Sequence, residues 1–174
     1  IDEVRIYNRA LAIPEIQELY QASLKEGLVA WWRMNEGTGD TVADSSGHAN
    51  PGTRQGAAWA PGPIGSALRF EAGTYVHVPN SESLKVGPSG LTLSAWVRKD
   101  SHADDSTIVR KANFSGGDGG YMLETGAHGE LALIARSHGE TFYAVSAPGV
   151  VPTGSWRHVV GTCDGSTVRL YVNG

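Results

Sequence analysis

Hydrophobic and polar residues alternate from the first residues of the chain. Val4 and Ile6 are spaced by two, with Glu3 and Arg5 beside them, which is the pattern of a strand that buries one face. Asp2 falls on that same face. A carboxylate in an apolar layer needs hydrogen-bond donors or a cation to remain ionised, so Asp2 is a candidate ligand of a metal ion.

A helical period follows this strand. Pro14 suits a first helical turn, and Ile16, Leu19 and Tyr20 lie on one face at helical spacing. No comparable helical pattern occurs after Leu24. The sequence therefore predicts one short amphipathic helix near the N-terminus.

The rest of the chain reads as short strands separated by glycine-rich loops. Strand-like runs occur at residues 28–34, 67–70, 75–78, 91–98, 107–111, 121–125, 130–136, 141–146, 156–163 and 167–172, and residues 35–52 are dense in turn-forming side chains. The 174 residues include 23 glycines, and this length accommodates one domain or one domain and part of another. The pattern predicts an all-β fold, an antiparallel β-sandwich or jelly roll with one short helix.

Composition limits the classes of partner. Charged residues make up 18% of the chain and the net charge is −4, so the sequence lacks the basic footprint of nucleic-acid binding and the polybasic patch of membrane-surface binding. A neutral partner is expected. No apolar run approaches the roughly 20 residues of a membrane span. The single cysteine, Cys163, cannot form an internal disulfide, which leaves the cellular compartment open.

Seven motifs then follow one another in the order found in one family. They are GLVAWW at 27–32, DSSG at 44–47, GSALRF at 65–70, YVHVP at 75–79, LTLSAWV at 91–97, WRHVV at 156–160 and DGSTVRLYVNG at 164–174. In order and spacing the chain resembles laminin G-like (LamG-like) modules of the concanavalin A-like lectin/glucanase superfamily. The resemblance implies a jelly roll that belongs to a larger secreted or cell-surface protein.

The resemblance also divides the chain. Residues 27–174 match a LamG-like module without its final strands, and residues 1–26 resemble the last strand and trailing helix of such a module. In one explanation the chain is a window from a tandem array, so that residues 1–26 close a preceding repeat. In the other, the N-terminal strand folds into the sheet of its own chain and the module is circularly permuted. A strand without a parent sheet pairs with any open edge that accepts it, including that of another copy, which would be strand complementation.

A structural calcium ion is implied by the resemblance, held between an early loop and the aspartate of the last strand. The corresponding residues here are Asp44, with Asn50 nearby, and Asp2. Loops rich in Gly, Asp, Asn and Ser supply the roughly six to eight oxygens that Ca²⁺ prefers. In the alternative interpretation, Asp44 caps an Asx-type turn and Asp2 accepts backbone N–H groups.

Aromatic residues suggest a ligand site. Trp96 lies on the face of its strand opposite to the aliphatic residues, where it lines an open surface or is covered by a loop, and the covered arrangement is favoured. The loops at 113–120 and 136–143 predict a rim with Arg136, His138, Phe142 and Tyr143. We expect these five residues to contribute to ligand binding.

No strand carries two carboxylates on one face inside an aromatic-lined run. Retaining glycosidases need such a pair at about 5 to 5.5 Å, so the sequence predicts a protein that is not an enzyme. The resemblance implies a non-catalytic, lectin-like module that binds polysaccharide or glycoprotein. The alternatives are a structural or adhesive spacer in an extracellular tandem array and an accessory domain of a glycoside hydrolase.

Overall fold

The computed structural model of the chain describes residues 1–21, 25–87, 90–101, 106–111, 120–137 and 140–174. In chain order the elements are β1 (Asp2–Tyr7), α1 (Ile13–Gln21), β2 (Leu28–Trp32), β3 (Thr41–Val42), β4 (Gly52–Gln55), β5 (Ala58–Pro61), β6 (Ser66–Arg69), β7 (Tyr75–His77), a 3-10 helix (Glu82–Leu84), β8 (Leu91–Val97), β9 (Ser106–Lys111), β10 (Gly120–Thr125), β11 (Leu131–Ser137), β12 (Glu140–Val145), β13 (Arg157–Cys163) and β14 (Val168–Val172). The predicted all-β class with one short α-helix is confirmed.

The strands form two larger and two smaller antiparallel sheets. The larger ones have the orders β14-β13-β8-β1-β2 and β12-β11-β10-β9, and the smaller ones are β3-β4-β7 and β5-β6. The apolar residues of the two larger sheets share one core. Gly161 of β13 allows close packing there, because an added Cβ would lie 3.1 Å from the side chain of Leu133 in β11. The result is an antiparallel β-sandwich.

β1 lies inside the five-stranded sheet and pairs with β2 on one side and β8 on the other. The N-terminal strand therefore lies in the sheet of its own chain, while the assignment of residues 1–26 to a preceding repeat or to a permuted module stays a prediction. The presence of another repeat in the gene stays a prediction. The ladder with β8 is irregular between Asp2 and Arg5, where Glu3 adopts a left-handed φ of 50°. Such a bulge re-aims the side chains around it.

Both faces of β1 are buried, whereas its alternation predicted one buried face. Val4 and Ile6 face the core between the sheets. The helix α1 covers the opposite face, where Ile16 and Leu19 pack with Tyr7. The sequence predicted both elements correctly, but only their packing decides that the second face of β1 is also removed from water.

A buried ion pair within β1 contacts Trp31 of β2 beneath this helix. Glu3 Oε2 accepts hydrogen bonds from the Arg5 guanidinium at 2.8 Å and from the Trp31 indole N–H at 2.7 Å. The Arg5 guanidinium lies 4.7 Å from the centre of the Trp31 ring and donates to the Leu19 carbonyl oxygen at 3.4 Å. Arg33 Nε lies 3.5 Å from the other carboxylate oxygen of Glu3. These contacts compensate the buried charges of Glu3 and Arg5, although Glu3 Oε1 has no hydrogen-bond partner among the described residues.

Polar contacts fix the start of α1. Glu15 accepts two hydrogen bonds from the Arg9 guanidinium, at 2.9 and 2.7 Å, and one from the Ala12 N–H at 2.9 Å. A carboxylate in the first turn also favours the helix dipole. Pro14 lies in this turn, as predicted. The side chain of Tyr20, which was expected on the apolar face of this helix, lies outside the described part of the chain.

No helix among the described residues has the length and apolar character of a membrane span.

Three short strands were not predicted. Residues 35–52 were expected to be mostly loop, and they are, apart from the two residues of β3 and the first residue of β4. β4 and β5 have four residues each and lack a clear alternation. They form because partners are available: β4 pairs with β3 and β7, and β5 pairs with β6.

Candidate functional site

Asp44 organises the loop after β2. Its Oδ1 accepts the N–H groups of Trp31 and Ser46, both at 2.9 Å, and its Oδ2 accepts the Ser46 hydroxyl at 2.8 Å and the Asn50 N–H at 2.9 Å. Burial by itself would raise the pKa of Asp44, but the backbone donors of Ser46, Asn50 and Trp31 outweigh it and lower the pKa. Asp44 is therefore the hydrogen-bonding centre that ties this loop to β2.

Asn50 extends the same network and is almost fully buried. Its Nδ2 donates to the Val29 carbonyl oxygen at 3.0 Å and to Ser83 Oγ at 2.9 Å, and its Oδ1 accepts the Ser81 hydroxyl. The Asn50 carbonyl oxygen accepts the indole N–H of Trp32 at 2.7 Å. The side chain thus joins β2 to the segment that contains the 3-10 helix.

Asp2 is fully buried at the start of β1. Its Oδ1 accepts the Glu3 N–H at 2.8 Å, while Oδ2 has no hydrogen-bond partner among the described residues. Loss of hydration raises the pKa of Asp2 to about 7, although the Glu3 N–H acts in the opposite direction. This carboxyl therefore changes its charge near neutral pH.

The three residues do not fit a shared calcium site in this arrangement. Ca²⁺ needs several oxygens with free lone pairs. Both oxygens of Asp44 and the side-chain oxygen of Asn50 already accept hydrogen bonds, and no group of three or more His, Cys, Asp or Glu residues suited to a metal occurs in the described ranges. The contacts of Asp44 are those of the Asx-turn alternative. Calcium binding stays a prediction, for which Asp2 Oδ2 is the one unused oxygen of the set.

Replacing Asp44 is expected to destabilise the protein. Asp44→Ala leaves the N–H groups of Trp31, Ser46 and Asn50 without their acceptor, and we expect the free energy of unfolding to fall by about 2 to 3 kcal/mol. Asp164→Ala is the matched control, because Asp164 caps an exposed turn between β13 and β14 with comparable hydrogen bonds. Urea unfolding measures both. An equal loss in the two variants would contradict the organising role of Asp44.

The buried carboxyl of Asp2 predicts a pH dependence of stability. In the folded state the carboxyl of Asp2 keeps its proton up to about pH 7, whereas its ordinary pKa is 3.8. Between these two pH values the folded state binds more protons than the unfolded state. The contribution of Asp2 therefore lowers the free energy of unfolding as the pH rises through that window. The amine of Ile1 acts oppositely, since burial lowers its pKa to about 6. The variant Asp2→Asn keeps the Ile1 amine and removes the titrating carboxyl, so it isolates the effect of Asp2 on the pH dependence of stability. We expect it to stabilise the protein more at about pH 8 than at about pH 4 in denaturant unfolding; an equal effect at both values would contradict the buried carboxyl.

Trp96 lies in β8, half-buried, on the outer face of the five-stranded sheet. Its ring is tilted against that of His158 in β13, with centroids 5.4 Å apart. His158 Nε2 lies 2.9 Å from Ser94 Oγ, and burial, with a smaller contribution from Arg5, lowers the pKa of His158 to about 4. His158 belongs to the neighbouring strand β13, so the covering of Trp96 by a loop stays a prediction.

The other predicted ligand residues belong to a different sheet. Arg136 and Tyr143 lie on the exposed face of the β11–β12 hairpin, whereas Phe142 points to the opposite face and packs against the core. The structure therefore does not bring Trp96 together with them. His138 lies outside the described residues. Ligand binding by these residues stays a prediction.

A cleft of about 1370 Å³ opens between β7 and β9. Each of these strands is an edge, β7 of the three-stranded sheet and β9 of the four-stranded sheet. Core residues of the five-stranded sheet, including Val4, Ile6 and Trp32, form part of its lining. Tyr75 is 54% exposed beside the opening, and Trp156 is half-buried with the Arg98 guanidinium 5.7 Å from its ring. The cleft thus has an apolar interior and an aromatic and polar border.

Several residues of the cleft lining form polar contacts. Near the end of β9, Lys111 Nζ donates to Asn80 Oδ1, and the hydroxyl of Tyr121, the strand partner of Lys111, donates to the Leu84 carbonyl oxygen at 3.2 Å. At the start of β9, Ser106 pairs with Thr125. Lys99 Nζ donates to the carbonyl oxygen of Gly126, the residue after Thr125, at 3.1 Å. Two other cations of the lining, Arg69 and Arg98, each have Nε 3.5 Å from a carboxylate oxygen of Asp100.

None of the described residues that the sequence predicted for a metal or ligand site lines this cleft. Tyr75 and His77 are exposed and alternate with the half-buried Val76 and Val78, which is a signal readable in the sequence. That signal marks the polar side of a strand only. This alternation does not predict the cleft, because the opposite wall is formed by β9, which lies about 30 residues later in the chain.

Two packed antiparallel sheets define the structural class of the chain, an all-β sandwich module. The sequence model of the family Laminin_G_3, of the concanavalin A-like lectin/glucanases superfamily, matches residues 70–174. The chain belongs to this superfamily, which confirms the resemblance.

One solved structure is similar in fold. It is the 2.1 Å crystal structure of residues 221–444 of an S-layer domain-containing protein from Clostridium thermocellum. The two share 21% sequence identity with a TM-score of 0.55, and the alignment covers 83% of this chain and 68% of that one. A search of curated protein sequences found no match.

Proposed function

We propose that this chain is a non-catalytic, lectin-like module that binds carbohydrate in the cleft between β7 and β9. The cleft itself is the observation that carries the proposal. Sugar sites combine aromatic faces, which stack on C–H groups, with a few polar side chains that bind hydroxyl groups. Tyr75 and Trp156 supply the first component, and Asn80, His77 and Arg98 supply the second.

The acids at the cleft support a binding role rather than hydrolysis. Among the described residues of its lining, the carboxylates belong to Glu71 and Asp100, which are both exposed. Asp100 lies between the guanidinium groups of Arg69 and Arg98. Glycosidases instead place one carboxylic acid where it keeps a proton for the leaving group. Incubation with neutral and acidic polysaccharides is therefore expected to release no reducing sugar.

The setting of the module is part of the proposal. The similar crystal structure comes from a protein named as S-layer domain-containing. Together with the superfamily, this name supports a place for the module in a secreted or cell-surface protein. Polysaccharide or glycoprotein glycans are the ligands that such a setting offers.

Two matched tyrosines test the site. Tyr75 is 54% exposed at the cleft, and Tyr143 is 57% exposed on the β11–β12 hairpin. We expect a panel of immobilised polysaccharides to retain the parent protein, Tyr75→Ala to weaken this retention at least tenfold, and Tyr143→Ala to keep it. Loss in Tyr143→Ala alone would move the site to the hairpin that the sequence predicted. No retention by any polysaccharide, with self-association of the chain, would favour the structural or adhesive spacer.

A further inference from the structure

The strand β14 is the outer strand of the five-stranded sheet. Among the described strands it pairs with β13 on one side, and it is the last strand in the order of that sheet. All five of its residues are half-buried or exposed, whereas β13 is buried from His158 to Cys163. The strand β12 of the other sheet contacts β14 without pairing with it. The outward edge of such a strand is a template on which another strand can pair.

The ladder with β13 decides which residues direct their backbone groups to this edge. At the turn, the Asp164 N–H donates to the Thr167 carbonyl oxygen at 3.3 Å. At the other end, the Asn173 N–H donates to the His158 carbonyl oxygen at 2.8 Å. Hydrogen-bonded and non-hydrogen-bonded pairs alternate between these ends, as in any antiparallel ladder. The residues that direct their N–H and C=O groups away from β13 are therefore Val168, Leu170 and Val172.

These outward groups fit a second copy of β14 in one register. A twofold axis at Leu170 places this residue opposite Leu170 of the other copy and places Val168 opposite Val172 of the other copy. Each pair then exchanges its outward N–H and C=O groups as a hydrogen-bonded antiparallel pair. The register thus uses the outward backbone groups of all three residues in both copies.

The side chains of β14 are complementary to one another in the same register. Val168, Leu170 and Val172 are partly buried against the core, and each would meet an apolar residue of the other copy. On the opposite face, Arg169 would lie across from Tyr171 of the other copy, and this contact would occur twice. A guanidinium group and a tyrosine ring attract each other, and cross-strand pairs of this kind stabilise a ladder. A twofold axis at Arg169 would instead bring two like charges together.

We infer that β14 forms the interface of a homodimer, in which the edges of two copies pair antiparallel about Leu170 and join two five-stranded sheets into one. A second copy is the partner because the order Val-Arg-Leu-Tyr-Val is complementary to its own reverse. The N-terminal strand of another copy fits less well, since β1 is already paired on both sides in its own sheet. The inference is independent of the carbohydrate site, because no residue of β14 lines the cleft.

Sedimentation equilibrium tests the dimer. An interface of one strand is small, and small interfaces bind weakly, so we expect the average mass to rise from that of one chain towards twice that mass between about 1 μM and about 1 mM. Tyr75→Ala, at the cleft, is expected to leave this curve unchanged. A chain that stays monomeric over the whole range would overturn the inference and leave the proposed carbohydrate site as it stands.

Leu170→Pro tests the backbone pairing. This substitution removes an N–H that points to the other copy and keeps the hydrogen bonds to β13, so the edge of the sheet tolerates it. We expect the dissociation constant of the dimer to rise at least tenfold. Leu170→Ala is the matched control, because it shortens the same side chain but keeps the N–H, and it is expected to weaken the dimer less. With both variants folded by their melting curves, unchanged dimerisation of Leu170→Pro would place the contact elsewhere and overturn the inference.

Charged variants test the register without a proline. Tyr171→Lys places a lysine across from Arg169 of the other copy, twice, and is expected to prevent dimerisation. In an equimolar mixture with Arg169→Glu, the introduced glutamate and lysine lie across from each other. We therefore expect this heterodimer to bind at least tenfold more tightly than Tyr171→Lys binds to itself. A mixture that associates no better than Tyr171→Lys alone would overturn the pairing about Leu170.

A pair of peptides tests whether the edge selects a copy of β14. One has the sequence of residues 166–174, and the other exchanges Arg169 and Tyr171 and keeps the same composition. We expect the first to dissociate the dimer at a concentration at least tenfold lower than the second. Equal inhibition by the two would identify an edge that accepts any extended strand, and it would overturn the second copy as the selected partner.

Discussion

Val4→Asp is expected to unfold most of the protein under conditions in which the parent is folded. Val4 is 3% exposed and faces the core from a strand that is paired on both sides. A carboxylate there has no described donor set or counter-ion to receive it, so we expect a loss of more than about 4 kcal/mol, which is comparable to the whole stability of many domains. Circular dichroism during urea unfolding measures the effect.

Val145→Asp is the matched control for this substitution. Val145 is 51% exposed on β12, the outer strand of the four-stranded sheet. The same chemical change at this position keeps the new carboxylate in water and is expected to alter stability little. If the two variants unfold at the same urea concentration, β1 is not a structural part of the sheet.

A deletion of residues 1–11 extends the same test. It removes β1 from between β2 and β8, exposes the backbone groups of both neighbours and uncovers the core that Val4 and Ile6 close. We expect the shortened chain to aggregate during size-exclusion chromatography. A monomer that melts like the parent would show that the N-terminal segment is a passive remnant of another repeat.

Arg5→Met is expected to be the second most damaging change. Glu3 and Arg5 are both less than 10% exposed, and the Glu3 carboxylate depends on the Arg5 guanidinium and the Trp31 N–H. Without Arg5, the buried Glu3 carboxylate keeps only the Trp31 N–H and the half-exposed Arg33 at 3.5 Å, and the loss of one member of a buried ion pair costs about 3 to 5 kcal/mol. Arg169→Met is the control, because Arg169 makes an ion pair of the same 2.8 Å length with Asp164 at the surface, and its loss is expected to have a much smaller effect.

The double variant Glu3→Gln/Arg5→Met identifies the cause of this loss. It replaces both charges with neutral side chains of similar size, so no uncompensated charge remains in the buried layer. We expect it to be more stable than Arg5→Met alone in urea unfolding. If the double variant is the less stable of the two, lost packing against the Trp31 ring and α1 outweighs the unpaired carboxylate.

Local patterns determined much of the fold. The alternation of Val4 and Ile6 predicted β1, and the helical spacing of Ile16 and Leu19 predicted α1. These predictions succeeded because strand and helix periods are recorded within a few consecutive residues. The ordered motifs of residues 27–174 added the sandwich and the superfamily, both of which the structure and the family match confirm.

The tertiary structure alone decided which polar residues are buried. Glu3 and Arg5 occupy positions that alternation assigns to solvent, yet Trp31 and α1 cover them. Asp44 looked like a metal ligand because its loop is rich in oxygen-bearing side chains, and only the positions of the backbone N–H groups show that its lone pairs are used. Such burial depends on partners that are distant in the chain, which no local period records.

The cleft illustrates the same limit for function. The net charge of −4 favoured a neutral partner, because composition averages over the whole chain. The fold instead brings Arg69, Arg98 and Lys111, which come from different parts of the chain, into the lining of one cleft. The sequence by itself determined the elements and the class of sandwich. The tertiary structure determined the cleft and the residues that line it, because long-range strand pairing brings together side chains whose spacing in the chain has no regular pattern.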